Sequence, residues 1–204
     1  MTVTRKALLL IFLILLVDQV SKFYIKLNFT LGESVHVFDW FQIFFIENKG
    51  MAFGIEIVGK LFLTLFRIVA ACGLSWFIYR LIKKQARTGF ILAVSALLAG
   101  ASGNIIDSII YGVIFSESTF NQVAVLFPEA GGYTSLFYGN VVDMFYFPII
   151  KNSEGQTVFF NAVFNVADSA ITVSAAVILI FFRKDLNEHL ESKKKTDEAE
   201  GQTT

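Results

Sequence analysis

Four long apolar segments constrain the fold of this chain more than any other feature of its sequence. They run from Ala7 to Leu27, from Leu61 to Ile82, from Gly89 to Phe115 and from Val158 to Phe182. A helix needs about 20 apolar residues to cross a hydrocarbon core of about 30 Å, so each segment can span a bilayer. The mean hydropathy of +0.63 agrees with this interpretation. We predict an integral membrane protein, mainly α-helical, with four transmembrane helices in one domain over residues 1–182.

The segments outside these spans differ from them in character. Residues 28–60 mix alternating polarity with β-branched and aromatic side chains, which is typical of short strands, and include a turn-rich piece with Gly50. Residues 116–157 form a long connection, and long loops usually have a function. We therefore expect a small β-sheet cap at 28–60 and a long outer loop at 116–157. Residues 183–204 are predicted to be a disordered charged tail.

Charge predicts the orientation and excludes some function classes. The basic residues cluster on one side of the predicted spans: Arg5, Lys6, Lys83, Lys84, Arg87, Arg183 and Lys184. The positive-inside rule then puts both termini in the cytoplasm, with the cap and the long loop outside. A net charge of +0 gives no sign of a nucleic-acid partner. The single Cys72 and two distant histidines argue against a cysteine- or histidine-based metal site.

The last apolar segment contains a polar stripe that lipid penalises. Its members are spaced by four, three and four residues, which places them on one face of a helix: Asn161, Asn165, Asp168 and Thr172. An ionisable carboxyl within a membrane needs a partner, a water-filled cavity or a chemical task. The surroundings of Asp168 are therefore expected to be functional.

The predicted orientation brings other carboxyls to the level of Asp168. Asp18 lies roughly 17 Å along the first helix, and Lys22, one turn further, could pair with it. Asp107 falls near the outer end of the third span, and Asp143 falls in the outer loop. We expect these carboxyls to gather near the outer leaflet with three carboxamides, Asn48, Asn104 and Asn165.

Paired carboxyls favour acid–base chemistry. Two carboxyls within a few ångström of one another share a proton, because both cannot easily ionise. One can then take a proton from water while the other hydrogen-bonds to a substrate carbonyl, as in aspartic peptidases. From the residues alone, a proton-linked transporter is supported almost equally. A structural scaffold is a third possibility, although it would need no clustered carboxyls.

Five motifs in a fixed order distinguish these alternatives. They are Asp18-Gln19-Val20-Ser21-Lys22, Asn48-Lys49-Gly50-Met51-Ala52-Phe53-Gly54, Gly103-Asn104-Ile105-Ile106-Asp107, Val141-Val142-Asp143-Met144-Phe145 and Phe164-Asn165-Val166-Ala167-Asp168-Ser169-Ala170-Ile171. With them the chain resembles the lipoprotein signal peptidases (signal peptidase II), the membrane aspartic peptidases of bacteria. The resemblance covers the four spans and nearly the whole chain.

The resemblance implies a reaction and a site. Similar enzymes cut the signal peptide from a prolipoprotein just before a cysteine that carries diacylglycerol, without metal or cofactor. Asp143 and Asp168 match their catalytic aspartates. The positions that match substrate-binding or site-supporting residues are Asp18, Lys22, Asn48, Gly50, Asn104, Asp107 and Asn165. We expect a monomer in the bacterial cytoplasmic (inner) membrane, with diacylglyceryl prolipoproteins and membrane lipid as partners, no nucleic acid, and the site near the outer leaflet.

The chain departs from the pattern of similar enzymes in two places. Those enzymes usually carry an arginine after the Gly-Asn-x-x-Asp motif, and here the position is Ser108. Arg67 and Lys22 are candidates to replace that guanidinium, although the position of Arg67 in the second span predicts that it lies too deep. The stretch from Ser108 to Val142 is also longer than is typical, which predicts an extra outer lobe, either part of the substrate entrance or a lid, or an insertion without a direct role.

Overall fold

The computed structural model of the protein describes residues 1–50, 57–151, 157–159 and 162–189. Its long helices are α1 (Val3–Asn28), α2 (Ile57–Lys83) and α3 (Thr88–Ile106). A π-helical turn, Asp107–Tyr111, and a short α4, Gly112–Ile114, continue α3. Helix α5 (Val166–Phe181) follows, bent by 85° from a short helix at Arg183–His189. Within these described ranges, three helices are long and apolar enough to cross a membrane, or four if this bent pair is one span, which agrees with the predicted membrane fold.

Helix α3 is the central helix of the bundle. It packs against α5, α1 and α2, and 61% of its most apolar stretch is buried, against 17% for α1 and 11% for α2. The outer faces of α1 and α2 instead expose large apolar side chains, such as Phe12 and Phe66, as lipid-facing helices do. Polar side chains on α3 are therefore shielded from lipid by the neighbouring helices.

Close contact between the helices depends on glycines in α3. A methyl group at Gly103 would lie 2.5 Å from Asp18 Oδ2 and 3.0 Å from the Ala167 side chain. One at Gly100 would lie 2.4 Å from the Ala167 carbonyl oxygen. Both glycines thus let α3 approach α1 and the first turn of α5.

Replacing Gly103 by Ala is expected to loosen this packing. The added methyl group must displace Asp18 or Ala167, at a cost of about 1–3 kcal/mol. We expect a lower unfolding temperature in detergent and a marked loss of activity. Gly73→Ala in α2 is the matched control, because its new methyl group meets nothing within 4 Å. Equal stability of the Gly103→Ala variant and the wild type would contradict the packing.

A four-stranded antiparallel sheet lies outside the helices, in the order β1-β2-β3-β6. Its strands are β1 (Ser34–Phe38), β2 (Phe41–Asn48), β3 (Val141–Tyr146) and β6 (Val163–Phe164); β4 (Ile150–Lys151) and β5 (Thr157–Phe159) form a separate hairpin. The expected cap at 28–60 therefore supplies only half of the sheet. Asp143 was expected in a loop but lies within β3, opposite Ile46.

Residues 115–140 form the predicted extra lobe and pack on the end of α3. Backbone N–H groups of Thr134, Phe137 and Gly139 donate to carbonyls of Gly112, Ile109 and Ser108, at 2.9, 3.1 and 2.9 Å. The π-helical turn interrupts the regular pattern of the helix, and the lobe satisfies carbonyls at this point. The lobe is thus attached to the helix that carries Asp107.

The fourth apolar segment begins its helix later than predicted. The expected start was Val158, but residues 163–164 belong to β6 and α5 begins at Val166. Asn165 ends the extended chain because its side chain accepts the Asp168 N–H, and Asp168 in return accepts the Asn165 N–H, a capping box. Within the polar stripe, Asn165 is therefore the cap of the helix, while Asp168 and Thr172 lie one turn apart in α5. Asn161 lies outside the described residues.

The predicted disordered tail is wrong in its first part. Residues 183–189 form the short helix after α5, where Arg87 Nη1 contacts Asp185 Oδ2 at 3.2 Å. Positions 190–204 lie outside the described residues.

Candidate active site

Asn165 connects two carboxyls that arrive from different elements. Its side-chain Nδ2 donates to Asp143 Oδ1 at 2.7 Å, and its backbone N–H donates to Asp168 Oδ2 at 3.3 Å. Asp143 comes from β3, whereas Asp168 lies in the first turn of α5. The start of a helix favours negative charge through the helix dipole. One fully buried residue thus holds both carboxyls in place, Asp143 through its carboxamide and Asp168 through its backbone.

Asp143 occupies a position that disfavours its charged form. Its residue is 1% exposed, and Asn48 and Asn165 hydrogen-bond to its side chain. Burial, followed by the negative charge of Asp168, raises the pKa of Asp143 to about 7, although the two hydrogen bonds oppose the shift. The pair can therefore carry one shared proton close to neutral pH.

Asn104 links Asp168 to a buried ion cluster. Its Nδ2 donates to Asp168 Oδ1 at 2.7 Å, while its Oδ1 accepts from Lys22 Nζ at 2.9 Å. Lys22 Nζ also contacts Asp18 Oδ2 at 2.9 Å and Asp107 Oδ2 at 2.8 Å, and the three side chains are 0% exposed. The expected pair of Asp18 and Lys22 is thus part of a triad at the centre of the bundle.

Asp18 and Asp107 hold the backbone just before each candidate catalytic residue. Asp18 Oδ1 accepts the N–H of Ala167 at 2.8 Å, and Asp107 Oδ2 accepts the N–H of Val142 at 3.3 Å. Ala167 precedes Asp168, and Val142 precedes Asp143. The triad therefore fixes the two chain segments that present the carboxyls.

All nine residues predicted from the sequence lie in one connected network. Asn48 ends β2, and its Oδ1 accepts the Gly50 N–H at 2.9 Å. Gly50 has a φ of +66°, a conformation that favours glycine at this turn. The motif residues 51–54 that follow lie outside the described part of the chain.

The network includes residues to which the sequence interpretation assigned no role. Gln19 Nε2 donates to Asp18 Oδ2 and Asp107 Oδ1, both at 3.0 Å, and Tyr111 donates its hydroxyl to Gln19 Oε1 at 3.1 Å. Gln19 lies inside the first motif, next to Asp18, so its position in the sequence was a usable signal. Gln19 lies between the carboxyls of Asp18 and Asp107, and its hydrogen bonds add to the stabilisation that Lys22 gives to these two negative charges.

A second buried ion pair supports the outer end of α1. Lys26 Nζ pairs with Glu47 of β2 and donates to Ser118 Oγ of the lobe at 3.0 Å. Glu47 Oε2 accepts from Asn140 Nδ2 at 2.7 Å. The signal for Lys26 was available, since it continues the four-residue spacing from Asp18 through Lys22.

The expectation that Arg67 lies too deep to reach the Ser108 region is wrong. Its Nη1 donates to Ser108 Oγ at 3.5 Å, a long hydrogen bond. Lys22, the other candidate, is held by Asp18, Asp107 and Asn104 instead. A guanidinium thus approaches this region from α2.

A cavity of about 330 Å³ opens beside Asp168. Its lining is mostly apolar and includes Phe164, Thr172 and Val173. One carboxyl therefore meets a space that an extended chain with apolar groups can enter.

Comparisons with known proteins agree with this arrangement. The family described as signal peptidase (SPase) II matches residues 10–184. A lipoprotein signal peptidase of Porphyromonas gingivalis is 47% identical over 199 residues, 93% of this chain and 88% of that protein. Its counterpart in Amoebophilus asiaticus is 32% identical over 200 residues, 91% of this chain and 80% of that protein.

A solved structure has the same fold. It is described as a bacterial membrane enzyme determined by the in meso method at 1.9 Å resolution, and it matches with a TM-score of 0.62 and 26% identity. The match covers 88% of this chain and 94% of the other. The chain therefore belongs to the signal peptidase II family, the membrane aspartic peptidases of bacteria that remove signal peptides from prolipoproteins.

Proposed function

We propose that this protein cleaves diacylglyceryl-modified prolipoproteins just before the lipidated cysteine, with Asp143 and Asp168 as its two catalytic carboxyls. The observation that carries the proposal is Asn165, whose side chain and backbone hydrogen-bond to both carboxyls. Paired carboxyls activate water when they share one proton. Asn48 and Asn104 also hydrogen-bond to this pair, and Asp18 and Asp107 bind the backbone next to it.

The raised pKa of Asp143 suggests how the two carboxyls divide the work. Asp143 keeps its proton up to about pH 7 and hydrogen-bonds to the substrate carbonyl. Asp168 accepts a proton from water as the water oxygen bonds to the carbonyl carbon. When the C–N bond breaks, that proton goes to the leaving amine, and the pair returns to its starting state.

The lipid on the substrate suits the position of the site. The cavity beside Asp168 is bounded by Phe164 and Val173, near the end of an apolar helix, so acyl chains can stay in lipid while the peptide bond meets water. Basic residues at both ends and between α2 and α3 support cytoplasmic termini and a site near the outer leaflet of the bacterial cytoplasmic membrane. We propose that the protein acts there as a monomer without a cofactor.

The test is cleavage of a lipidated prolipoprotein by the purified full chain, followed by a gel shift. The matched control substrate carries serine in place of the lipidated cysteine. We expect cleavage of the first substrate only, with a new N-terminus at the lipidated cysteine. Equal cleavage of both substrates would contradict the lipid requirement. Proton flux in liposomes without any cleavage would favour a transporter instead.

The pH dependence of cleavage follows from Asp143. Its raised pKa of about 7 means that Asp143 is protonated below that pH and loses its proton above it. The singly protonated pair is therefore lost as the pH rises, and kcat/KM is expected to fall about tenfold per pH unit above this value. A cleavage series from about pH 5 to pH 9 measures the profile. Constant activity up to the alkaline end would contradict the assigned roles.

A further inference from the structure

Arg67 is a charged residue within the apolar part of helix α2, between Lys60 near one end and Arg80 near the other. Its neighbours Phe66 and Val69 are 61% and 70% exposed, as lipid-facing residues are, whereas Arg67 is partly buried on the side of α2 that faces α3. An arginine within a membrane span is costly and requires a polar environment or a function. Arg67 therefore needs an explanation beyond helix packing.

The guanidinium lies in a narrow polar cleft next to the site. The cleft separates α2 from the end of α3, and its lining includes Asn48, Gly50, Thr64, Ser108 and Gly139 together with Arg67. Asn48 in turn hydrogen-bonds to Asp143, so the cleft borders one of the two carboxyls. Asn48 is thus common to the wall of the cleft and to the surroundings of the Asp143 carboxyl.

The charges around Arg67 are those of the site. The negative charges that act on it are Asp168, Asp107 and Asp143, in order of decreasing strength. The positive charges on this side are Lys60, on the same helix, and Lys49, in the cleft wall. Asp107 is already paired with Lys22. The negative charge left for Arg67 to balance is therefore that of the pair itself.

The residues that the structure describes engage few of the donors of Arg67. A guanidinium has five N–H donors. Among the described residues, the side chain of Arg67 makes one hydrogen bond, the long contact with Ser108. None of the ion pairs within the described ranges involves Arg67. Arg67 therefore retains N–H donors that a further acceptor, such as a carbonyl oxygen, can use.

We propose that Arg67 is a substrate-positioning residue, whose guanidinium binds a backbone carbonyl of the prolipoprotein beside the scissile bond while its charge acts on Asp168 and Asp143. The proposal rests on the function proposed above. An extended peptide offers carbonyl acceptors along its length, and a planar guanidinium can bind one without a requirement for side-chain sequence. Arg67 thus supplies from α2 a cation that Ser108 cannot supply from α3.

The test compares Arg67→Met, the double variant Arg67→Met/Ser108→Arg and Arg80→Met in the lipidated-substrate assay. Arg80 is the matched control, since it lies on the same helix, stacks on Trp76 and is roughly 20 Å from Arg67 along the axis. We expect Arg67→Met to lose on the order of 100-fold in kcat/KM. Removing the cation should also raise the alkaline limb of the pH profile by about half a unit to one unit.

The double variant tests the position of the charge. Ser108 is the contact of Arg67, so an arginine introduced at Ser108 can reach the space that the guanidinium of Arg67 vacates, and we expect at least about a tenfold recovery. A loss of kcat/KM in Arg67→Met supports the proposal if the alkaline limb of its pH profile shifts or if the double variant recovers activity. A wild-type value of kcat/KM in Arg67→Met overturns the proposal. A reduced kcat/KM without a shifted limb and without recovery in the double variant also overturns it, because a purely structural arginine would give that result.

Two further measurements keep the result decisive. Thermal unfolding in detergent reports whether Arg67→Met is folded. If it is not folded, Arg67→Lys replaces it in the test, and we expect at least about a tenfold loss of kcat/KM. Wild-type activity of Arg67→Lys would then overturn the proposal. Cleavage by the wild type in the same assay shows whether the proposed function holds. A wild type that fails to cleave refutes that function, whereas an active wild type with an indifferent Arg67 refutes only the present inference.

Discussion

Replacing Asp168 by Asn is expected to reduce cleavage at least about a thousandfold while leaving the protein folded. An asparagine has the same shape, and its carbonyl oxygen can still accept the 2.7 Å hydrogen bond from Asn104, whereas its amino group cannot accept the 3.3 Å one from the Asn165 backbone. It cannot take a proton from water, however. Asp143→Asn is expected to have an equally large effect, because the N–H of a carboxamide is not acidic enough to be shared within the pair or transferred to the substrate carbonyl oxygen.

The control for these variants is Asp39→Asn. Asp39 lies in the turn between β1 and β2, and its side chain is fully exposed to solvent, so its charge is remote from the site. Each variant is assayed with the lipidated substrate, and its unfolding temperature in detergent is compared with that of the wild type. Full activity of either Asp143→Asn or Asp168→Asn would remove that residue from the dyad. A loss of activity with a collapsed unfolding temperature would assign it a structural role instead.

The sequence motifs singled out two carboxyls that one residue, Asn165, connects in the structure through its side chain and its backbone. The predicted start of the last helix, in contrast, was wrong. The spacing Asn165 to Asp168 fits one face of a helix, and it equally fits a cap and its third residue. Periodicity alone cannot separate these alternatives, because both place the two side chains close together. The pairing of β6 with β3 decides for the cap, and this contact joins residues far apart in sequence.

Other features depended on long-range contacts that no local pattern encodes. The sheet takes β3 from beyond α3, so the cap could not be completed from residues 28–60. The prediction that Arg67 lies too deep rests on its place along the second apolar segment. Helix α2 begins before that segment, at Ile57, and α3 ends in a π-helical turn. The heights of Arg67 and Ser108 in the membrane therefore differ from those that the sequence predicts.

Replacing Lys22 by Met is the second change expected to have a very large effect. The ammonium of Lys22 is the common partner of Asp18 and Asp107, and all three side chains are completely buried. Removing it leaves two carboxyls close together without a counter-charge, which costs about 3–5 kcal/mol. We expect a large decrease in the unfolding temperature in detergent, together with loss of cleavage.

The position of Lys22 also separates a structural from a catalytic explanation. Its cluster touches the dyad through Asn104 and through the backbone of Ala167 and Val142, so the ion triad acts by holding the carboxyls in position. Neutralising Asp18 and Asp107 as well, by Asp→Asn in the Lys22→Met background, removes the unpaired charges and keeps one acceptor oxygen on each side chain. Stability should then recover largely, and activity partly. Lys6→Met, at an exposed position of α1, is the control. If Lys22→Met is as stable as that control, the buried triad does not position the site, and the geometry of Asp143 and Asp168 must depend on Asn165 alone.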